Sequence, residues 1–335
     1  MKTFLKITKL LAAALLILGF SCSNDDDNAT LAPTTVVDVV VSNNLTTFSE
    51  ALEETDLIST LQGSGPFTVF APSNAALEEF LMDLNIDLSN MTATEISTVR
   101  NLLKNHIIAE SNISSTDLIN AGSGYVDTQA DGVGGFNISL FYNVINNNVM
   151  LNGVSSVTEP DKTASNGVVH IVNDVLFLPT IVTFVTADPN FNSLEAALTA
   201  NGQPDFISTL SLPNGLTPPP FTVFAPVNSA FQDLLDSNTE WNSLADIDSS
   251  LLTSVLEHHI IEEANVRSED LTDGMSPTTS EGDMITINLP GNNGNPAKIT
   301  DGSGNMDIDI IAVDVQATNG VVHAIESVLI PNTTN

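Results

Sequence analysis

The sequence predicts a mixed fold of helices and strands, written twice in tandem. Three observations predict it. The run F-T-V-F-A-P occurs at Phe67 and again at Phe221, about 154 residues on, each time followed by asparagine and an apolar pattern of helical spacing. A second landmark, "LLKNHIIAE" from Leu102, returns as "VLEHHIIEE" from Val255. A third, "SNGVVHIVNDVLFLP" from Ser165, returns as "TNGVVHAIESVLIP" from Thr318. Landmarks repeated in one order at a near-constant spacing mark a duplicated domain, and 335 residues suffice for two domains of ordinary size.

Each landmark has a physical reading. The alternation and β-rich composition of F-T-V-F argue a strand. Pro72 and Pro226 end it, because proline cannot donate to a ladder. Asn74 and Asn228 follow, placed where a side chain can cap the next helix. That helix carries Leu77, Phe80, Leu81 and Leu84 in one copy and Phe231, Leu234 and Leu235 in the other, one buried stripe each. The middle landmark is also helical. Thr92-x-x-Glu95 reads as a capping box, Val99, Leu103 and His106 share a face, and so do Leu252, Val255, Leu256 and His259. The third landmark is a strand entered through Asn-Gly, a hairpin signal, with Ile308 to Val315 as its partner in the second copy. Pro179 and Pro331 close the two units. No Gly/Ser linker separates them: "LPTIVTFV" runs from the last strand of one into the first helix of the next, which predicts a restricted, packed angle between domains.

T-V-F-A-P-S/V-N near the start of a domain, N-G-V-V-H with V-L-x-x-P or V-L-I-P at its end, and a histidine-bearing helix between them resemble the fasciclin domain. The resemblance covers residues 34–180 and 181–332. It implies an α+β fold, each unit a wedge of two small β-sheets with several helices packed to one side. In animal relatives a Tyr-His pair on the middle helix is associated with integrin binding. Here the residue before the histidine is Asn105 or His258, so only the histidine's place in the fold carries over.

The amino terminus reads as an address. Lys2, Lys6 and Lys9 precede an apolar run from Leu10 to Phe20, too short to span a bilayer but suited to a signal core. The run ends at Cys22, the chain's single cysteine, so no disulfide can form within it. Residues 1–21 resemble a bacterial lipoprotein signal, with Phe20 where the strict form has a small residue. This implies acylation of Cys22 and anchoring in outer-membrane lipid. The stretch 22–33, opening Ser23-Asn24-Asp25-Asp26-Asp27-Asn28, is an acidic polar tether. It resembles the signal that sends Bacteroidetes lipoproteins to the cell's outer face.

The formal charge is −33, and the leader holds three of the eight basic residues and no acid. The remainder sets five basic against 41 acidic residues, a net of −36. Such a surface repels phosphate backbones, which excludes nucleic acid as a partner.

Candidate chemistry is sparse. His106, His170, His259 and His323 sit at equivalent places in the two copies, on apolar helix faces or in valine-flanked strands. A structural role in which the rings bond backbone is expected, and they are binding candidates with Asn74 and Asn228. Asp301, Ser303, Asn305, Asp307 and Asp309 alternate oxygen donors like the front of a calcium loop. Met306 and Ala312 stand where that loop needs glycine and a bidentate acid. No other cofactor is indicated. Trp241, Tyr125 and Tyr142 are the aromatics suited to sugar stacking. No G-x-S-x-G, P-loop or dinucleotide fingerprint occurs. The function expected is non-catalytic adhesion or capture of extracellular glycan or protein. The rivals are a polysaccharide hydrolase or lyase and a self-associating surface-layer component.

Overall fold

The computed structural model describes residues 34–332. The leader, Cys22 and the tether lie outside the described residues. In chain order the first domain contains α1 (Val36–Ser42), α2 (Thr46–Glu54), α3 (Ile58–Leu61), β1 (Phe67–Pro72), α4 (Asn74–Asp83), α5 (Ala93–Lys104), β2 (Ile107–Ala109) and α6 (Ser115–Ala121). It continues with β3 (Ser123–Asp131), β4 (Asn137–Ile145), β5 (Asn148–Leu151), β6 (Ser155–Ala164) and β7 (Gly167–Val172). The second domain repeats the plan as α7 (Ile181–Ala187), α8 (Asn192–Leu198), α9 (Phe206–Leu210), β8 (Phe221–Pro226), α10 (Asn228–Asp236) and α11 (Ser249–Glu257). Its remaining strands are β9 (Ile260–Ile261), β10 (Thr286–Asn288), β11 (Lys298–Thr300), β12 (Ile308–Ala317) and β13 (Gly320–Ile325).

Each domain holds one curled sheet, in the order β2-β1-β7-β6-β5-β4-β3 and β10-β11-β12-β13-β8-β9. One place in from an edge, the F-T-V-F-A-P strand runs parallel to the strand that follows Asn-Gly, Phe67 opposite Gly167 and Phe221 opposite Gly320. These strands are buried along their whole length, which is why they read as apolar runs. Each proline is its strand's last residue. A Cβ on Gly167 would lie 2.1 Å from Phe67 O, and on Gly320 2.2 Å from Phe221 O, so only glycine lets the two backbones meet here.

The long strands β6 and β12 bend the sheet. Each carries two register shifts, around Glu159 and around Ala312, and there Asp161 and Asp314 adopt left-handed φ of 59° and 64°. The bend lets β6 pair with β7 at one end and with β5 at the other, so the sheet has two halves. Apolar side chains fill both sides of it. In the first domain one core gathers α1, α2, α4 and α5 over Val69 and Val169, and the other packs Phe70, Leu140 and Leu151.

Local expectations meet the structure unevenly. Thr92 and Glu95 do form the capping box, with Thr92 N donating to Glu95 Oε2 at 2.7 Å. The α4 stripe is narrower than its spacing suggests: Leu77 and Leu81 are buried, Phe80 is half-buried and Leu84 is exposed. In α10 Ala230 and Phe231 are buried while Leu234 and Leu235 are half-buried.

The joint between domains is packed. The side chain of Phe141, in β4 of the first domain, packs into the second domain's core beside Ile181 and Phe184 of α7. Tyr125 of β3 lies 5.0 Å from Phe141 and 5.6 Å from Phe184, ring centre to ring centre. Gln316 N donates to Ser139 Oγ at 3.0 Å across the joint, and the Arg267 guanidinium sits 4.3 Å over Phe136.

Candidate functional site

The residues that define the repeated motifs all hold backbone. His106 follows the end of α5, and its Nδ1–H donates to Leu102 O at 2.9 Å while Nε2 accepts Leu176 N at 2.9 Å. His259 does the same with Val255 O at 2.6 Å and Leu329 N at 2.8 Å. Each ring thus bonds a carbonyl of a helix end and ties it to the segment after the last strand. His170 and His323 use the opposite tautomer. Nε2–H donates to Ile113 O (2.9 Å) or Val266 O (2.8 Å), and Nδ1 accepts the bulge amide of Asp161 (3.2 Å) or Asp314 (3.3 Å).

All four rings are buried and neutral. Burial, opposed by the bond to Leu102, lowers His106 to about 4; burial, opposed by the bond to Val255, lowers His259 to about 3. His170 and His323 are also pushed down, again by burial first.

The expectation that Asn74 and Asn228 cap the helix after them is corrected. Ser73 caps α4, and no side chain caps α10. Asn74 Oδ1 instead accepts Thr47 N at 3.2 Å and its amide donates to Asn44 O, so it caps α2 from across the fold. Asn228 likewise accepts Ser193 N at 2.9 Å at the start of α8 and donates to Pro189 O. Each asparagine is the first residue of its own helix, one place too late for an N-cap.

Sequence reasoning missed further clamps. Asn166 accepts Val36 N and donates to Leu61 O and Gly63 O; Asn319 accepts Ile181 N and donates to Leu210 O and Leu212 O. Thr68 and Thr222 each bridge two backbone groups of a neighbouring loop. Asp161 and Asp314 accept the amide and hydroxyl of Ser115 and Ser268. Their identity in both copies was the available signal.

The calcium candidates do not converge. Asp301 Oδ1 accepts Ser303 N, Ser303 Oγ and Asn305 N, and Oδ2 accepts Ile330 N. Asp307 pairs with Lys298 at 3.2 Å, and Asp309 holds Asn292 N and the Asn295 amide. Each of these three carboxylates is thus engaged by its own set of donors. Among the described residues no three His, Cys, Asp or Glu side chains are placed to hold a metal ion. The aromatics are likewise dispersed: Tyr142 is in the first domain's core, Tyr125 is at the joint, and Trp241 borders an apolar groove with Leu234 and Ile330.

Two surface properties remain. All five Lys and Arg side chains of the described residues face carboxylates, at 2.7 to 3.6 Å. Between the domains lies a cleft of about 500 Å³, walled by Tyr125 and Phe141 on one side and Phe191, Val315, Val322 and Ala324 on the other. At its edge Tyr125 Oη donates to Asp188 Oδ2 at 2.9 Å, and burial with the Asp188 charge pushes the phenol's pKa up.

Fold and site together define a tandem pair of α+β domains whose shared polar residues serve the backbone. The chain belongs to the fasciclin domain family, which matches residues 43–179 and 189–331. A solved FAS1 domain pair from the insect cell adhesion molecule Fasciclin I shares the fold over 88% of this chain and 95% of that one, with a TM-score of 0.51 and 20% identity. Transforming growth factor-beta-induced protein ig-h3 of Sus scrofa is 28% identical over 81% of this chain and 36% of its own length. Periostin of Homo sapiens is 28% identical over 86% and 31%. Protein sll1483 of Synechocystis is 29% identical over 45% of this chain and 73% of its own length. The chain thus spans about a third of the two animal relatives. No helix of the described residues is long and apolar enough to cross a membrane.

Proposed function

We propose that this protein is a non-catalytic adhesive lipoprotein, anchored in outer-membrane lipid through acylated Cys22 and carried on the outer face of the cell by the tether 22–33. Its two domains contact an extracellular polymer, glycan or protein. The observation that carries the reading is the duplication: the side chains that both copies keep are engaged in holding backbone, which leaves the outer surface to make contacts. The domain pair of a cell adhesion molecule, whose fold this chain shares, supports the same class of role. With every described cation already facing a carboxylate, the favoured polymer is neutral or basic rather than polyanionic.

The test compares wild-type cells with cells lacking the gene and cells carrying Cys22→Ala, on beads coated with a panel of neutral, basic and acidic polymers. Adhesion to neutral or basic beads should fall in both mutants, and Cys22→Ala should lose palmitate labelling and membrane sedimentation. Equal adhesion by all three strains across the panel would sink the proposal. Turnover of a glycan by the purified protein would replace it with the hydrolase or lyase reading.

A further inference from the structure

The two copies differ in chemistry along the bent strand. Residues 158 to 162 of β6 read Thr-Glu-Pro-Asp-Lys; the equivalent 311 to 315 of β12 read Ile-Ala-Val-Asp-Val. In the first domain Lys162 and Glu159 form an ion pair at 2.8 Å on this stretch, so the fold does not require it to be apolar. In the second domain it looks toward the first, and Val315 is buried against the joint. The joint does not account for the rest. Ile311 is 41% exposed, Ala312 is exposed, and both border the inter-domain cleft. An apolar surface thus continues past the protein that covers it, and it lines a hollow.

We infer that this cleft is a binding site for an uncharged, predominantly apolar small molecule. Its volume of about 500 Å³ lies within the range of ligand pockets, and its walls come from both domains. Phe141 lines it from the first domain and Phe191, Val322 and Ala324 from the second, and the exposed Ile311 and Ala312 form its lip. No cation lines it. Its one carboxylate, Asp188, already accepts Tyr125 Oη, Asn190 N and the Asn190 amide. An anion would find no cation there, and a cation only a carboxylate with three donors on it. An apolar molecule would replace water on surface that nothing else covers. This inference does not depend on the adhesive reading.

The experiment titrates the neutral dye Nile red into residues 34–332, which hold the cores of both domains. Two variants copy what the first domain carries at the same places, Ala312→Glu after Glu159 and Ile311→Thr after Thr158, so both suit a strand of this shape. Trp241→Ala probes the separate apolar groove. The expected result is a saturable, blue-shifted emission with one site, weakened about tenfold by Ala312→Glu. Ile311→Thr should weaken it by a smaller factor, and Trp241→Ala should leave it unmoved. Absence of saturable binding overturns the inference. So does binding that both lip variants leave unchanged, or binding that only Trp241→Ala removes. Should Ala312→Glu fail to fold, Ile311→Thr decides alone.

Discussion

Positions 105 and 258 are the same place in the two domains, just before the helix-end histidine, and they are held differently. Asn105 donates to Leu176 O and Phe177 O. His258 accepts Gly302 N at its Nε2 and turns Nδ1 toward Thr279 Oγ1 and Glu281 Oε2. Both are fully buried, and both hold backbone, yet the partners come from different segments. One residue later the copies agree in residue, tautomer and bonding pattern. The difference teaches what duplication preserves. A side chain stays fixed where two buried backbone groups each need one of its atoms. It drifts where a loop that differs between copies supplies the partner, and on sheet faces it follows whatever covers the sheet.

Acid should strain both copies through the residues they share. The four neutral rings take up little proton while folded, whereas the unfolded chain titrates them near 6.5. The unfolded state therefore binds more protons in this window. Stability is complete above about pH 6.5 and falls as pH drops toward about 4 for His106 and about 3 for His259. Each ring contributes about 1.4 kcal/mol per pH unit inside its window. Urea unfolding at stepped pH should show a loss of several kcal/mol by pH 5, and a flat profile from pH 7 to 5 would contradict neutral buried rings.

Next in size, His106→Ala and His259→Ala should each cost about 3–4 kcal/mol, since each leaves a buried amide, Leu176 N or Leu329 N, without its partner beside a new cavity. Their near-equality is the point. A cost below about 1 kcal/mol in one domain would mean that the ring there does not hold the helix end.

The smallest effect on stability, about 1–3 kcal/mol, should come from Val315→Lys, which gives the second domain the residue that the first carries as Lys162. The bent strand accommodates lysine there, so each domain should keep its fold while the joint around Phe141 opens. Small-angle scattering should show a larger, multi-angle ensemble. An unchanged curve would mean that the joint rests on other contacts.

Much of this was legible because a repeat displays its own requirements. The strand F-T-V-F-A-P, the capping box at Thr92 and the hairpin partner Ile308 to Val315 all stand where periodicity and turn chemistry place them. Asn74 misled because capping was read from the chain following it, whereas its partner Thr47 lies 27 residues earlier. For Asp301 to Asp309 the spacing along the chain did not show the partners, since Asp307 meets Lys298 while Asp309 meets Asn292 and Asn295. Neither the cleft nor the contacts that pack the joint could be read, since both need β4 of one copy beside β12 of the other.

By itself the sequence determined that one unit occurs twice, which residues the unit cannot vary, and that the copies join without slack. Those properties are local or periodic, and turns, strand runs and helix stripes write them along the chain. Only the tertiary structure decided which carbonyl each histidine meets, which helix each asparagine caps, and where apolar surface is left uncovered between the domains. Such matters depend on distances between residues far apart in sequence, and the packing of the whole chain sets those distances.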